Sequence, residues 1–184
     1  LMGNIGAAQL AAHTLALQIA ALAFQVPFGV GQASTMRVGY FYGARDSDGM
    51  ARAGWAGIGI ALLFMSVTSS AMVLVPDYLL AIYIDPWAAA NVAMVAFATR
   101  YLLVAAAFQL VDGVQAVAGG ALRGLQDTRM PMWIAVFSYW VPGFGTAVVL
   151  GFATPLAGVG VWLGLATGLA FAAVLLTWRW VRRE

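Results

Sequence analysis

The stretch that decides the fold is residues 92–120, VAMVAFATRYLLVAAAFQLVDGVQAVAGG, in which Arg100 and Asp112 are the charged side chains. A helix needs about 20 mainly apolar residues to cross a bilayer, and this stretch is long enough to do so. Four runs of similar composition flank it, at 7–35, 54–75, 131–152 and 156–178. Clusters of Pro, Gly and Asp separate the runs and predict turns. The sequence therefore predicts an all-α membrane protein with five transmembrane helices.

The overall composition leads to the same fold class. Of 184 residues, 63% are hydrophobic and 9% are charged, whereas a soluble domain carries about 25% charged residues. So few charged groups cannot cover a globule of this size in water, and we expect lipid to be its outer solvent.

Several residue types on which enzymes depend are absent. The sequence has no Cys, no Lys and a single His, which excludes disulfides, thiol catalysis, a P-loop and a multi-histidine metal site. No nucleophile and base pair can be assembled from this inventory. We therefore expect no enzyme activity.

The arginines predict the orientation of the chain in the membrane. Eight of them fall in the junctions 37–52 and 122–131 and in the C-terminal end, and none falls in the junctions 75–87 and 153–155. Because cytoplasmic loops collect arginine, the C-terminus is predicted to be cytoplasmic and the N-terminus to be outside. An external N-terminus without a signal peptide predicts further spans upstream in a longer protein. Arg100 is the exception, and its side chain is expected to reach the outer headgroups.

Asp112 is the acid inside an apolar run, and it is the first candidate for transport chemistry. A carboxylate at the centre of a membrane helix costs about 2.5–3.5 kcal/mol on insertion scales, so it requires a reason. It can exchange a proton for a metal or organic cation, or it can bond to a neighbouring helix for packing alone. At about 100° per residue, Phe108 and Gln115 share its helix face and Gln109 lies beside it.

A polar stripe marks the first predicted helix. Thr14, Gln18, Gln25 and Gln32 recur at intervals of four, seven and seven residues, which places them along one side of a helix. The stripe fits the wall of a cavity, and it fits equally well a set of side chains that hydrogen-bond to neighbouring helices. For His13, on roughly the opposite face, we expect an interfacial or hydrogen-bonded role rather than a proton relay.

Prolines and glycines predict where helices bend and where they pack closely. Pro27 and Pro142 each lie inside an apolar run and predict a bend or hinge. Gly160, Gly164 and Gly168 form two overlapping GxxxG patterns, which predict close packing of the last helix against a neighbour.

Four segments carry a family resemblance: LAAHTLALQIAALAFQVPFGVGQASTMRVGYFYGARD, FQLVDGVQAVAGGALRGLQDTRMP, SYWVPGFGTAVVLGF and PLAGVGVWLGLATGLAFAAVLL. In this order they resemble the eighth helix with its loop, the tenth helix with its turn, and helices eleven and twelve of the multidrug and toxic compound extrusion (MATE) transporters. The match covers essentially the whole chain. Its most specific parts are the RVG, FQLxDGxQ and LRGxxDT segments.

The resemblance implies a twelve-helix transporter of two six-helix lobes, in which this chain forms the last five helices of the C-terminal lobe. The N-terminal lobe and the first helix of the C-terminal lobe are then absent from it. The implied activity is multidrug efflux from a bacterial inner membrane, with amphipathic or cationic compounds exchanged for Na⁺ or H⁺. The expected partners are small-molecule drugs or toxic organic cations, membrane lipids and the missing N-terminal lobe, with no nucleic acid and no cofactor besides the coupling ion.

The resemblance also assigns roles to individual residues. Asp112 falls on the acid of the cation-coupling site, with Gln109 beside it, and Asp112 is a possible Na⁺ ligand. The candidates for the substrate cavity are Thr14, Gln18, Phe24, Gln25, Phe108 and Gln115. Residues on motifs with an expected structural role are Arg37, Arg123, Gly124 and Asp127. Well-known Na⁺-coupled members have tyrosine in place of Phe108, and the position of Phe24 can likewise be tyrosine, so the sequence leaves the coupling ion open.

Two other functions fit the sequence. A lipid-linked oligosaccharide or polysaccharide flippase of the same superfamily would be expected to have more basic side chains in its spans to meet pyrophosphate, and here Arg100 is the one within a span. A non-transporting scaffold subunit would use Asp112 and the glutamines for packing alone.

Overall fold

The computed structural model of the chain describes residues 6–183. Seven α-helices follow one another: α1 (Ala7–Gly43), α2 (Ser47–Leu74), α3 (Pro76–Leu80), α4 (Val92–Gly124), α5 (Arg129–Ser138), α6 (Gly145–Phe152) and α7 (Gly158–Val181). A short 3₁₀ helix, Ala89–Asn91, precedes α4. A π-helical segment, Tyr139–Phe144, joins α5 to α6.

Five helical segments are long and apolar enough to cross a membrane by their length and composition. They are α1, α2, Ala89–Gly124, Arg129–Phe152 and α7, and the fourth of them contains α5, the π-helical segment and α6. The described part of the chain contains no strand. The predicted fold class, an all-α membrane protein with five spans, is confirmed.

Helices α1 and α2 extend beyond the apolar runs that predict them. The sequence places a junction at residues 37–52, but α1 continues to Gly43 and α2 begins at Ser47. Asp46 ends the turn between them, because its side chain accepts a 2.8 Å hydrogen bond from the Gly49 N–H and so caps α2. Hydrophobicity marks the stretch that lipid surrounds, whereas the cap decides where the helix begins.

Helix α4 lies at the centre of the fold and packs against α1, α2 and α7. Its crossing with α1 is close because small residues face each other there. A side chain at Gly120 would overlap the backbone of Gly31, and the Thr35 hydroxyl donates a 2.9 Å hydrogen bond to the Gly120 carbonyl oxygen. This crossing holds α1 and α4 at a fixed separation.

The glycines of α7 permit a second close crossing, as the sequence predicts. Side chains added at Gly160, Gly164 and Gly168 would meet α6 or the π-helical segment. At Gly164 the added group would overlap Ala147, and at Gly168 it would lie 3.1 Å from the Cα of Gly143. Contact between backbones therefore holds α7 against the fourth span.

The two mid-span prolines have different local effects. Helix α1 continues without a break across Pro27 to Gly43. Pro142 lies inside the π-helical segment, which interrupts the fourth span. Proline has no N–H and its ring crowds the preceding turn, so a wider turn accommodates it.

Candidate functional site

Asp112 lies on α4 and is half-buried. Among residues 6–183, the ion pairs are those that Asp127 forms with Arg179 and Arg183, so none of the described cations pairs with Asp112. Within residues 6–183, Asp112 is therefore a carboxylate inside a span without a counter-ion.

Gln109 is buried one turn before Asp112, with 1% of its surface exposed. Its Oε1 accepts a 3.4 Å hydrogen bond from the Thr68 hydroxyl on α2, and its Nε2 has no partner among the described residues. If the amide were turned over, Nε2 would bond to Thr68 and Oε1 would have no described partner. One buried polar atom of Gln109 therefore lacks a partner in either orientation. Such an atom costs about 1–3 kcal/mol, which is reason to expect a ligand or water there.

Tyr139 is the site residue that sequence reasoning missed. It lines a cavity of about 540 Å³ that His13 and Phe144 also line. The sequence did contain a signal, since Tyr139 precedes Pro142 by three residues, as Phe24 precedes Pro27. Phe24 and Phe108 lack a phenol, whereas Tyr139 has one.

Phe108 does not lie on an open surface in this structure. It is 8% exposed and its ring stacks on the fully buried Trp162, with the ring centroids 5.8 Å apart. Tyr101 stacks on Trp162 at the same distance, and His13 meets its edge at 5.6 Å. This geometry gives Phe108 a packing position in the core rather than a place on the wall of a cavity.

The polar stripe of α1 faces away from the other described helices. Thr14, Gln18, Gln25 and Gln32 are all exposed, and the Thr14 hydroxyl donates to its own helix, at the Leu10 carbonyl oxygen. The stripe therefore does not join α1 to another helix within residues 6–183.

Two further cavity candidates are less exposed than the stripe. Phe24 is half-buried and packs against Phe28, with the ring centroids 6.2 Å apart. Gln115 is half-buried on α4. The structure therefore leaves the six candidates dispersed: three on the open face of α1, two half-buried and Phe108 in the core.

The LRGxxDT motif ties the end of α4 to the end of α7. Asp127 is 7% exposed, and its carboxylate accepts a 2.6 Å hydrogen bond from the Nε of Arg179. Gly124 is buried where a side chain would lie 2.7 Å from the Thr35 carbonyl oxygen, whereas Arg123 is exposed. Asp127 and Gly124 thus have structural positions at this end of the bundle.

Arg37 takes no part in that ion-pair cluster. It is exposed on α1, and its guanidinium lies over the ring of Phe41, 5.3 Å from the ring centroid.

The fold and these contacts define a helical membrane lobe with polar side chains enclosed between its spans. The MatE family model matches residues 1–149. The chain belongs to the MatE family, which confirms the resemblance found in the sequence.

Individual relatives agree with this assignment. The chain is 47% identical over 184 residues to the "Probable multidrug resistance protein NorM" of Mesorhizobium japonicum, covering all of this chain and 39% of that protein. It is 46% identical over 178 residues to the "Multidrug resistance protein NorM" of Burkholderia vietnamiensis, covering 97% of this chain and 38% of that protein. The chain thus spans about two-fifths of the length of these relatives.

A solved structure has the same fold. The crystal structure of the eukaryotic MATE transporter AtDTX14 superposes with a TM-score of 0.82 at 18% identity, covering 96% of this chain and 38% of that one. The partial coverage is consistent with a twelve-helix protein in which this chain forms most of one lobe.

Proposed function

We propose that this chain is part of a multidrug efflux antiporter that exports amphipathic or cationic compounds across a bacterial inner membrane in exchange for Na⁺ or H⁺. The observation that carries the proposal is Asp112, a half-buried carboxylate within a span that pairs with none of the described cations. Membership of the MatE family and the names of the NorM relatives support it.

The coupling step follows from the charge of Asp112. An ionised carboxylate favours a conformation that keeps it hydrated, whereas a proton or a bound Na⁺ neutralises it and allows a drier, more closely packed conformation. The coupling cation therefore shifts the population between two states of the lobe. A drug that binds more tightly to the state without the bound cation is released when the cation binds. The drug is thereby exchanged for the cation.

The π-helical segment is the element best placed to respond to this change. Tyr139 belongs to it and lines the cavity of about 540 Å³. Pro142 lies in the same segment and interrupts its regular hydrogen bonding. π-helical turns occur frequently at functional sites.

The exposed stripe of α1 supplies a polar surface for the substrate path. Gln18, Gln25 and Gln32 would be costly against lipid, so we assign this face to a cavity shared with the rest of the full-length protein. Amide side chains suit varied substrates, because each can donate and accept hydrogen bonds.

The decisive experiment is Asp112→Asn in the full-length protein, reconstituted into liposomes with a fluorescent cationic drug and an imposed Na⁺ or H⁺ gradient. We expect efflux to fall by at least about ten-fold under the gradient that drives the wild type, since coupling free energies correspond to about 5–150-fold. Asp77→Asn is the matched control, because Asp77 is an exposed acid in α3.

The outcomes separate the rival functions. Unchanged efflux by Asp112→Asn would overturn the role of the carboxylate. Transport of a lipid-linked oligosaccharide without drug efflux would favour a flippase. A wild-type protein that moves neither drug, lipid nor ion would favour a scaffold subunit.

A further inference from the structure

A groove of about 420 Å³ runs between α1 and α2 at the arginine-rich end of the two helices. Its lining is mainly small or apolar and includes Val30, Ala33, Ala53, Ala56, Gly57 and Ile60. Gly57 keeps the floor open, because a side chain there would overlap the hydroxyl of Ser34. The groove therefore has a mainly apolar surface that suits a hydrocarbon chain.

Two arginines line the same groove. Arg37 and Arg52 are both exposed, and neither belongs to the ion pairs formed within residues 6–183. The nearby acid Asp46 is engaged elsewhere, since it accepts the 2.8 Å hydrogen bond that caps α2. The groove thus combines a mainly apolar lining with two cations that form no ion pair within residues 6–183.

The position of the groove separates it from the substrate path proposed above. Arg37 is five residues after Gln32, so the two side chains point about 140° apart around α1. Beyond the groove, α2 exposes Leu63 and Val67, which are 71% and 63% exposed. Large apolar side chains on an outer helix face indicate a surface covered by lipid.

The geometry points to a binding site for one acidic phospholipid, with its phosphate between Arg37 and Arg52 and an acyl chain in the groove. The guanidinium group forms paired hydrogen bonds to phosphate oxygens, and basic pockets between membrane helices bind acidic headgroups. Free phosphate would leave the apolar floor unused, and a zwitterionic lipid would place its own cation near the arginines. An acidic phospholipid satisfies both features.

The test uses the full-length protein in a mild detergent, with bound lipid counted by native mass spectrometry during titration with phosphatidylglycerol or phosphatidylcholine. We expect wild type to bind one phosphatidylglycerol tightly. The double variant Arg37→Gln with Arg52→Gln should bind it about thirty-fold more weakly, since each basic residue contributes about five-fold. Phosphatidylcholine should not distinguish the two proteins.

Two variants control for charge and for folding. Arg129→Gln removes an exposed arginine that does not line the groove, and it should leave the affinity unchanged. Ala56→Leu fills the groove from an exposed position without altering charge, and it should weaken phosphatidylglycerol binding.

Three results would overturn the assignment. The first is equal phosphatidylglycerol affinity in wild type and the double arginine variant. The second is Ala56→Leu binding phosphatidylglycerol as wild type does. The third is displacement of the lipid by an excess of inorganic phosphate, which would show an anion site without a lipid groove. Drug efflux is measured separately, so these outcomes do not bear on the antiporter proposal.

Discussion

Among residues 6–183, Asp127 is the acid that forms ion pairs. Its carboxylate lies 2.6 Å from the Nη2 of Arg179 and 3.6 Å from the Nε of Arg183. Its side chain is 6% exposed, that of Arg179 is 22% exposed and that of Arg183 is 53% exposed. The pair with Arg179 is therefore largely shielded from water, whereas the pair with Arg183 is not.

This difference in exposure predicts a graded loss of stability. Asp127→Asn leaves the Arg179 guanidinium partly buried without a charge partner, and we expect it to lower the free energy of unfolding by about 2 kcal/mol. Arg183→Gln removes an exposed contact and should cost less than about 1 kcal/mol. Thermal unfolding of the full-length protein measures both, and equal melting temperatures for the two variants would contradict the ranking.

The sequence identifies a charged side chain within a span more readily than a neutral polar one. Asp112 could be identified because a carboxylate in an apolar run is costly and rare. Thr68 could not, because threonine hydroxyls are common in membrane helices and often bond to their own backbone. Which hydroxyl approaches Gln109 depends on how the helices rotate about their axes, and a single sequence does not give that rotation.

At the scale of elements, glycine positions decide which helices touch. Helix α7 meets the fourth span through Gly164 and Gly168, and α4 meets α1 through Gly120. Lipid is as apolar as leucine, so shape rather than hydrophobicity selects these neighbours. Removing a glycine at a crossing therefore affects packing directly.

The variant Gly164→Ala tests this explanation. The added methyl group would overlap Ala147, so α7 must shift, and we expect a loss of about 1–3 kcal/mol in the free energy of unfolding. Gly59→Ala is the matched control, because nothing lies within 4 Å of an added Cβ in α2. That control should be neutral or stabilising by up to about 1 kcal/mol.

Thermal unfolding of the two full-length variants in the same detergent checks the difference. A Gly164→Ala protein as stable as Gly59→Ala would show that α7 and the fourth span do not pack closely in the assembled protein.

Hydrophobic runs predict the number of spans but not where each helix ends or is interrupted. The runs identified five spans, because burial in lipid requires length and low charge. They did not predict that α1 would extend to Gly43, nor that a π-helical segment would divide the fourth span. The turn after α1 contains Arg45 with a positive φ and the Asp46 cap of α2, and the π-helical segment contains Pro142. These effects are local and independent of hydrophobicity.

At the scale of the whole molecule, the described helices leave surfaces of two chemical kinds. The outer face of α2 is apolar, as lipid contact requires. The stripe of α1 exposes Gln18, Gln25 and Gln32. Amide side chains that face lipid would have no hydrogen-bond partners, so this second surface is expected to contact protein or water.

The two surfaces predict how these 184 residues behave when produced alone. Expressed without the rest of the full-length protein, the chain should aggregate or be degraded, because its polar stripe and the half-buried Asp112 would meet lipid. Co-expression with the remaining part of the full-length protein should restore a monodisperse complex on size-exclusion chromatography. The triple variant with Gln18, Gln25 and Gln32 changed to Leu should make the isolated chain more soluble in detergent and weaken that complex. A stable, monodisperse preparation of the unmodified chain alone would show instead that the stripe needs no protein partner.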